Sequence, residues 1–138
     1  MKSLTQLVAV MIFAALACTG LHAQTVDLRA AIPFNFHAGD KLMPAGEYVI
    51  QEQGSVIWLR DADRHRPAFA LMTVGAAGRN LSPQSRLEFN RYGSEYFLTE
   101  VWGSFTQDGR QLLPTARQKE LAKRGDVPAS AEVILASK

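Results

Sequence analysis

Cysteine is nearly absent from this sequence: Cys18 is the single one in 138 residues. A disulfide framework needs pairs of cysteines and a thiolate zinc site needs several, so neither holds this chain together. Charge of one sign is lacking too. The 15 Lys and Arg stand against 13 Asp and Glu, a balance that offers nucleic acid no basic field. No apolar run reaches the roughly 20 residues that a membrane-spanning helix needs; the longest, Leu7 to Ala17, is broken at Cys18-Thr19-Gly20. Also missing are a G-x-S-x-G elbow, an H-E-x-x-H helix, a phosphate-cradling Gly loop and any Cys/His metal spacing. No motif names an activity, and no cofactor is called for.

What is present begins with an address. Lys2 supplies a positive start, Leu7 to Ala17 (LVAVMIFAALA) an apolar stretch, and Leu21-His22-Ala23 a small-residue end before Gln24, the pattern of a secretory signal peptide occupying residues 1–23. The expected location is the periplasm or the extracellular space, with no transmembrane segment in the mature chain. Processing at Cys18 after Ala15-Leu16-Ala17 is the alternative, and it would leave a lipid-anchored protein. Cleavage after Ala23 removes Lys2 and Cys18 together, which leaves 14 basic against 13 acidic residues and no thiol. A domain of this size buries roughly 65% of its unfolded surface. Its core alone must hold it.

The dominant period after residue 24 is two. Val26, Leu28, Ala30, Ile32, Phe34 and Phe36 alternate with polar or small residues, one apolar face of an extended strand. Pro33 cannot donate to a ladder, so this strand lies at an edge or breaks near residue 33. Residues 47–53 read as a second strand. Gly54-Ser55 turns into Val56-Ile57-Trp58-Leu59, and residues 67–74 form another strand; both are apolar on two faces, which predicts that both faces are covered. Residues 85–92 and 95–102 make a hairpin about Gly93-Ser94. A two-residue loop would pair Arg91 with Tyr96 and Phe89 with Leu98, and a three-residue loop would shift Phe89 onto Phe97.

Thr115 and Gln118 have the spacing of a capping box, and Gly125 stands at the matching stop, so the sequence predicts a helix over 116–124. Residues 126–138, with Val133-Ile134-Leu135, are a tail or an added edge strand. The whole predicts an all-β domain, mainly an antiparallel sandwich or small barrel of six to seven strands, with one short C-terminal α-helix. The β domain spans residues 24–125.

Several segments together carry a resemblance. Ile32-Pro33-Phe34-Asn35-Phe36 with Gly39-Asp40-Lys41, then Leu42-Met43-Pro44-Ala45-Gly46-Glu47-Tyr48, then Arg91-Tyr92-Gly93 and Tyr96-Phe97-Leu98-Thr99-Glu100-Val101-Trp102 resemble uncharacterised small exported bacterial β-proteins. In those proteins a PFxF strand, an LPAGxY turn and a Tyr-Gly hairpin recur together. The resemblance covers roughly residues 30–124, with Met43 a departure from the common pattern. It implies export and a β fold, and it brings no activity.

Two constellations are candidate sites. Arg86, Glu88, Arg91, Glu95 and Glu100 surround Tyr92, Tyr96 and Trp102 on the hairpin, and Arg91, Tyr92, Tyr96, Glu100 and Trp102 are the expected binding residues, because exposed aromatics with arginine favour recognition. Cross-strand charge pairs on a solvent face explain the same residues structurally. Asp61, Asp63 and His65 alternate along one loop as metal ligands would, but a Gly-enabled turn and a closing bidentate Glu are lacking, and Arg60, Arg64 and Arg66 neutralise them. The expected function is therefore a non-catalytic exported domain that binds an envelope or extracellular partner (protein, glycan or lipid). The alternative is an exported hydrolase built from dispersed residues such as His37, Asp40 and Glu47. The leader is directly testable: mass spectrometry of the exported protein is expected to find Gln24 at the N-terminus, whereas a diacylglycerol adduct on Cys18 would show a lipid anchor.

Overall fold

Three two-residue turns, each a Gly followed by Asp or Ser, set the hairpins of this fold. The computed structural model describes residues 27–63, 67–78, 82–104 and 107–135. Gly39-Asp40 joins β2 (Phe36–Ala38) to β3 (Lys41–Met43), Gly54-Ser55 joins β4 (Gly46–Gln53) to β5 (Val56–Asp61), and Gly93-Ser94 joins β7 (Arg86–Tyr92) to β8 (Glu95–Trp102). The three glycines have φ of 60°, 60° and 61°, the positive value that the first central position of a primed turn requires. The Gly93 turn is of the two-residue kind, and Arg91 faces Tyr96 and Phe89 faces Leu98.

The remaining elements are β1 (Asp27–Ile32), β6 (Phe69–Ala77), β9 (Asp108–Leu112), α1 (Ala116–Lys123) and β10 (Ala129–Ile134). Ten strands are described where six or seven were expected. The first predicted strand splits at Pro33 into β1 and β2, and the short β3 and β9 lie in stretches whose turn residues mask them. The strands run β1-β4-β5-β6-β9-β8, and β8 then carries β7 and β10 along one edge. All ladders are antiparallel except the single bridge His37↔Phe97, by which the β2–β3 hairpin joins β8. Strand β6 is nine residues long; its first half pairs with β5 and its second with β9, so it passes from one half of the sheet to the other. The end strands β1 and β10 approach each other, but no ladder joins them. The sheet is not closed into a barrel.

The core lies on one side of the sheet. Phe36, Tyr48 and Phe89 meet edge to face, with centroids 5.4 and 5.6 Å apart from Phe36, a geometry that sets the positive edge of one ring against the negative face of the next. Ile32, Ile50, Ile57, Leu59, Leu71, Leu87, Leu98 and Val101 complete it. The Tyr48 hydroxyl donates to the Pro44 carbonyl at 2.6 Å, which keeps a buried polar tip satisfied. The alternation read in β1 holds through the break at Pro33: Ala30, Ile32 and Phe36 are buried and Phe34 packs against them.

Strands β5 and β6 are not covered on both faces. Ile57, Leu59, Leu71 and Thr73 point inward, whereas Trp58, Met72 and Val74 on the outer side remain 36%, 66% and 45% exposed. An antiparallel sheet can leave one face in water; here that face is apolar.

The helix is built as its sequence dictates. Thr115 Oγ1 accepts from the Gln118 N–H and Gln118 Oε1 accepts from the Thr115 N–H, at 3.1 and 3.0 Å. At the other end Gly125, with φ of 87°, donates to Ala122 O, and the Asp126 N–H reaches Leu121 O, a Schellman closure. Strand β10 then adds to β7, and the Leu135 N–H donates to Ser85 O. The tail is thus an edge strand.

Packing predicts a sharp contrast in urea unfolding. Phe36→Ala opens a cavity in the aromatic cluster and is expected to cost about 3–5 kcal/mol. Asn35→Ala, next to it but exposed, loses the bond from the Ala45 N–H to Oδ1 at 2.9 Å and is expected to cost about 1 kcal/mol. Equal losses would contradict the assigned core face.

Candidate functional site

A one-residue irregularity decides what the β7–β8 hairpin displays. Between Glu88 and Phe89 the partner on β8 jumps from Glu100 to Leu98, so Thr99 is an extra residue, a β-bulge. Its Oγ1 donates to the Glu88 carbonyl at 2.9 Å. The bulge shifts the parity of the strand: Leu98 before it and Val101 after it both enter the core. The expected binding residues are consequently divided. Tyr96 stacks on Phe34 at 3.9 Å on the core side, with Arg91 opposite it on the ladder. Tyr92, Glu100 and Trp102 lie on the other, outer side, as do Arg86, Glu88, Glu95 and Phe97.

On that outer side two adjacent rungs form a square. Arg86 is paired with Trp102 and Glu88 with Glu100. Along β7, Arg86 Nε donates to Glu88 Oε1 at 2.8 Å; along β8, Trp102 Nε1 donates to Glu100 Oε2 at 2.9 Å. Arg86 also lies 5.0 Å over the Trp102 ring. The ring itself rests on Gly109, where an added Cβ would meet it at 2.6 Å. Only glycine admits the indole there. Trp102 is accordingly buried, and it positions Glu100 instead of offering a ring to solvent. Sequence reasoning gave no sign of Gly109, and it read Gln118 only as half of a capping box, not as the residue that roofs this region from α1.

Toward the turn, a second cluster centres on Glu95. Arg117 on α1 donates to both of its oxygens, at 2.7 and 3.3 Å, and His37 Nε2 lies 3.5 Å away. Arg117 also meets Glu120, which pairs with Arg124. The hydrogen bond from Arg117, more than its charge or that of His37, holds the Glu95 carboxyl below its ordinary value of 4.5, against a smaller opposing effect of burial. His37 stacks on Phe97 at 4.6 Å. Its ion-pair partner is Glu95, while Asp40 stands in the β2–β3 turn and Glu47 is exposed on β4. No hydrogen bond or ion pair joins His37, Asp40 and Glu47 to one another.

Asp61 Oδ1 accepts from the Asp63 N–H at 3.1 Å, a local turn bond that occupies one of the oxygens a metal would need. His65 lies outside the described residues, as do the leader and Cys18. Among the described residues no three His, Cys, Asp or Glu side chains converge on a metal position, and no helix is long and apolar enough to cross a membrane. Comparison of the chain with protein-family models, with curated proteins and with solved structures gives no match.

The Glu95 cluster makes a pH-dependent contribution of known sign. A carboxyl whose folded value is depressed stabilises the fold fully above its unfolded value, near 4.5, and that contribution is lost as pH falls through the lower folded value. Glu95→Gln is therefore expected to lower the urea midpoint at neutral pH, and the difference from wild type is expected to shrink progressively as pH falls below the ordinary carboxyl value of 4.5. An unchanged difference in acid would sink the assignment.

Proposed function

We propose that this protein is an exported, non-catalytic β domain that binds an extended segment of an envelope or extracellular protein along strand β6. The leader pattern of residues 1–23 supports export. The observation that carries the binding reading is the half-paired edge of β6. Over Phe69–Met72 it pairs with β5 on one side only, and among the described residues its other edge has no ladder partner until Thr73 meets β9.

That edge opens on a groove of about 320 Å³ between β6 and the β9–α1 link. Met72 and Leu113, 66% and 59% exposed, flank it, and Ala70 connects it to its cross-strand neighbour Trp58. Unpaired N–H and C=O groups beside apolar pockets are what strand addition uses: the ladder supplies affinity and the pockets choose side chains. Gln51 and Gln53 lie beside Trp58 and Val56 on the ladder, a polar rim around an apolar centre rich in Trp and Met, as in protein interfaces. A lipid surface fits less well, because Arg29 and Arg60 are accompanied on the same face by Asp27 and Glu47 and leave no basic excess.

A photo-crosslinker at Leu113 of the full chain, activated in intact cells, tests this reading. It is expected to yield an adduct with a different, exported protein, whose joined peptide is an extended apolar segment. A probe at Glu132 on β10 is expected to yield none. Met72→Asp is expected to reduce the adduct about tenfold or more, the effect of losing roughly 1.4 kcal/mol of binding. Adducts only with a second copy of the chain, only with lipid, or equally from both probes would overturn the proposal.

A further inference from the structure

The outer side of the hairpin holds a cleft that the β6 edge does not touch. Roofed by α1 and floored by β7, β8 and β9, it has a volume of about 150 Å³ and is lined mainly by polar side chains. Drug-sized and cofactor sites run to about 300–1,000 Å³, so this one suits a single small ring.

Its chemistry is mixed in a specific way. Glu88 and Glu100 face each other across the ladder, an arrangement that costs free energy unless something compensates it. Arg86 and Trp102 each hold one oxygen of one carboxylate, and the second oxygen of each accepts no bond from the described residues. These are fixed acceptors. A donor comes from the roof. Gln118 is only 7% exposed and lines the cleft; its Oε1 is held by the Thr115 N–H, while its Nε2 donates to no described residue. That nitrogen is not sealed off, since no buried side-chain nitrogen or oxygen among the described residues lacks a partner, and it is therefore open to whatever fills the cleft. Asn90 and Gln111 add amides that both donate and accept, and Leu112 and Pro114 add a small apolar wall.

We infer that this cleft binds one uncharged sugar ring or cyclic polyol. Each hydroxyl of such a ring both donates and accepts, which matches carboxylate acceptors set beside an amide donor, and its C–H face matches Pro114 and Leu112. A cation fits worse. It would take oxygen ligands only, whereas the cleft also presents amide donors, and Arg86 already partly neutralises its two carboxylates. A free ring and the terminal unit of a glycan present the same hydroxyls, so the cleft admits either source.

The test uses Trp102 as its reporter. The chain has two tryptophans, so Trp58→Phe leaves Trp102, bonded to Glu100, as the single emitter. Free glucose, galactose and N-acetylglucosamine are titrated at millimolar concentration, and the same protein is applied to a glycan array. A saturable change in Trp102 emission with a free ring, or array binding ended by one sugar type, is expected. Glu88→Gln and Asn90→Ala, with folding checked by circular dichroism, are each expected to weaken binding at least about tenfold. Signal with the array alone identifies a glycan terminus as the source. Absence of binding in both arms overturns the inference, as do folded variants that bind like wild type, or a Ca²⁺ or Mg²⁺ titration that moves Trp102 while no sugar does. The crosslinking result at Leu113 bears on none of these outcomes, so the two proposals fail separately.

Discussion

The extra residue at Thr99 is the constraint on which the rest of the molecule depends. Side chains of a regular strand alternate strictly, so a strand carrying Tyr96 and Leu98 into the core would turn Val101 to the outside and bring Glu100 and Trp102 in. Burying a glutamate beside Phe89 and Leu87 would cost several kcal/mol. The bulge avoids this by letting both Leu98 and Val101 face inward, and the Thr99 hydroxyl bonds the Glu88 carbonyl across the irregularity. The outer side then receives Phe97 near the turn and the Glu100–Trp102 pair at the far end, where α1 and the β2–β3 hairpin partly cover them.

Strand β8 is also the junction of the topology. One of its edges is occupied by β7 along its whole length, while the other is divided between β2 at Phe97 and β9 from Glu100 to Trp102. The division places Trp102 over Gly109 and leaves a polar cleft beneath α1. The same economy of edges explains β6. A strand shared between two neighbours is fully paired only where both are present, and over Phe69–Met72 one of them is missing among the described residues. The two proposed surfaces are therefore products of how strands are shared.

The helix is attached to the sheet by few contacts. Of its residues only Gln118 and Leu121 are buried, and the Arg117–Glu95 pair is its main ionic tie to the sheet. Partly exposed pairs of this kind contribute about 1 kcal/mol or less. Its ends, by contrast, are closed by a complete capping box and a Schellman motif, so α1 is locally well formed though lightly docked. A lightly docked roof over a polar cleft is consistent with ligand entry beside α1.

What the chain determined by itself is local. The Gly54-Ser55 and Gly93-Ser94 turns, the break at Pro33, the capping box of Thr115 and Gln118 and the stop at Gly125 each follow from backbone sterics or hydrogen bonds within a few residues, so they were legible without coordinates. The alternation of Ala30, Ile32 and Phe36 was legible for the same reason, since a strand's period is intrinsic. Tertiary structure decided the rest. The doubly apolar β5 and β6 looked covered on both sides, yet whether a face is covered depends on distant elements, and none of those described packs over Trp58 and Met72. The bulge at Thr99, the parallel bridge His37↔Phe97 and the seat of Trp102 on Gly109 depend on which strands meet and in what register. Residue types specify that choice only through the sum of many long-range contacts, and for that reason Tyr92, Tyr96 and Trp102, close in sequence, came to lie on two different sides of one sheet.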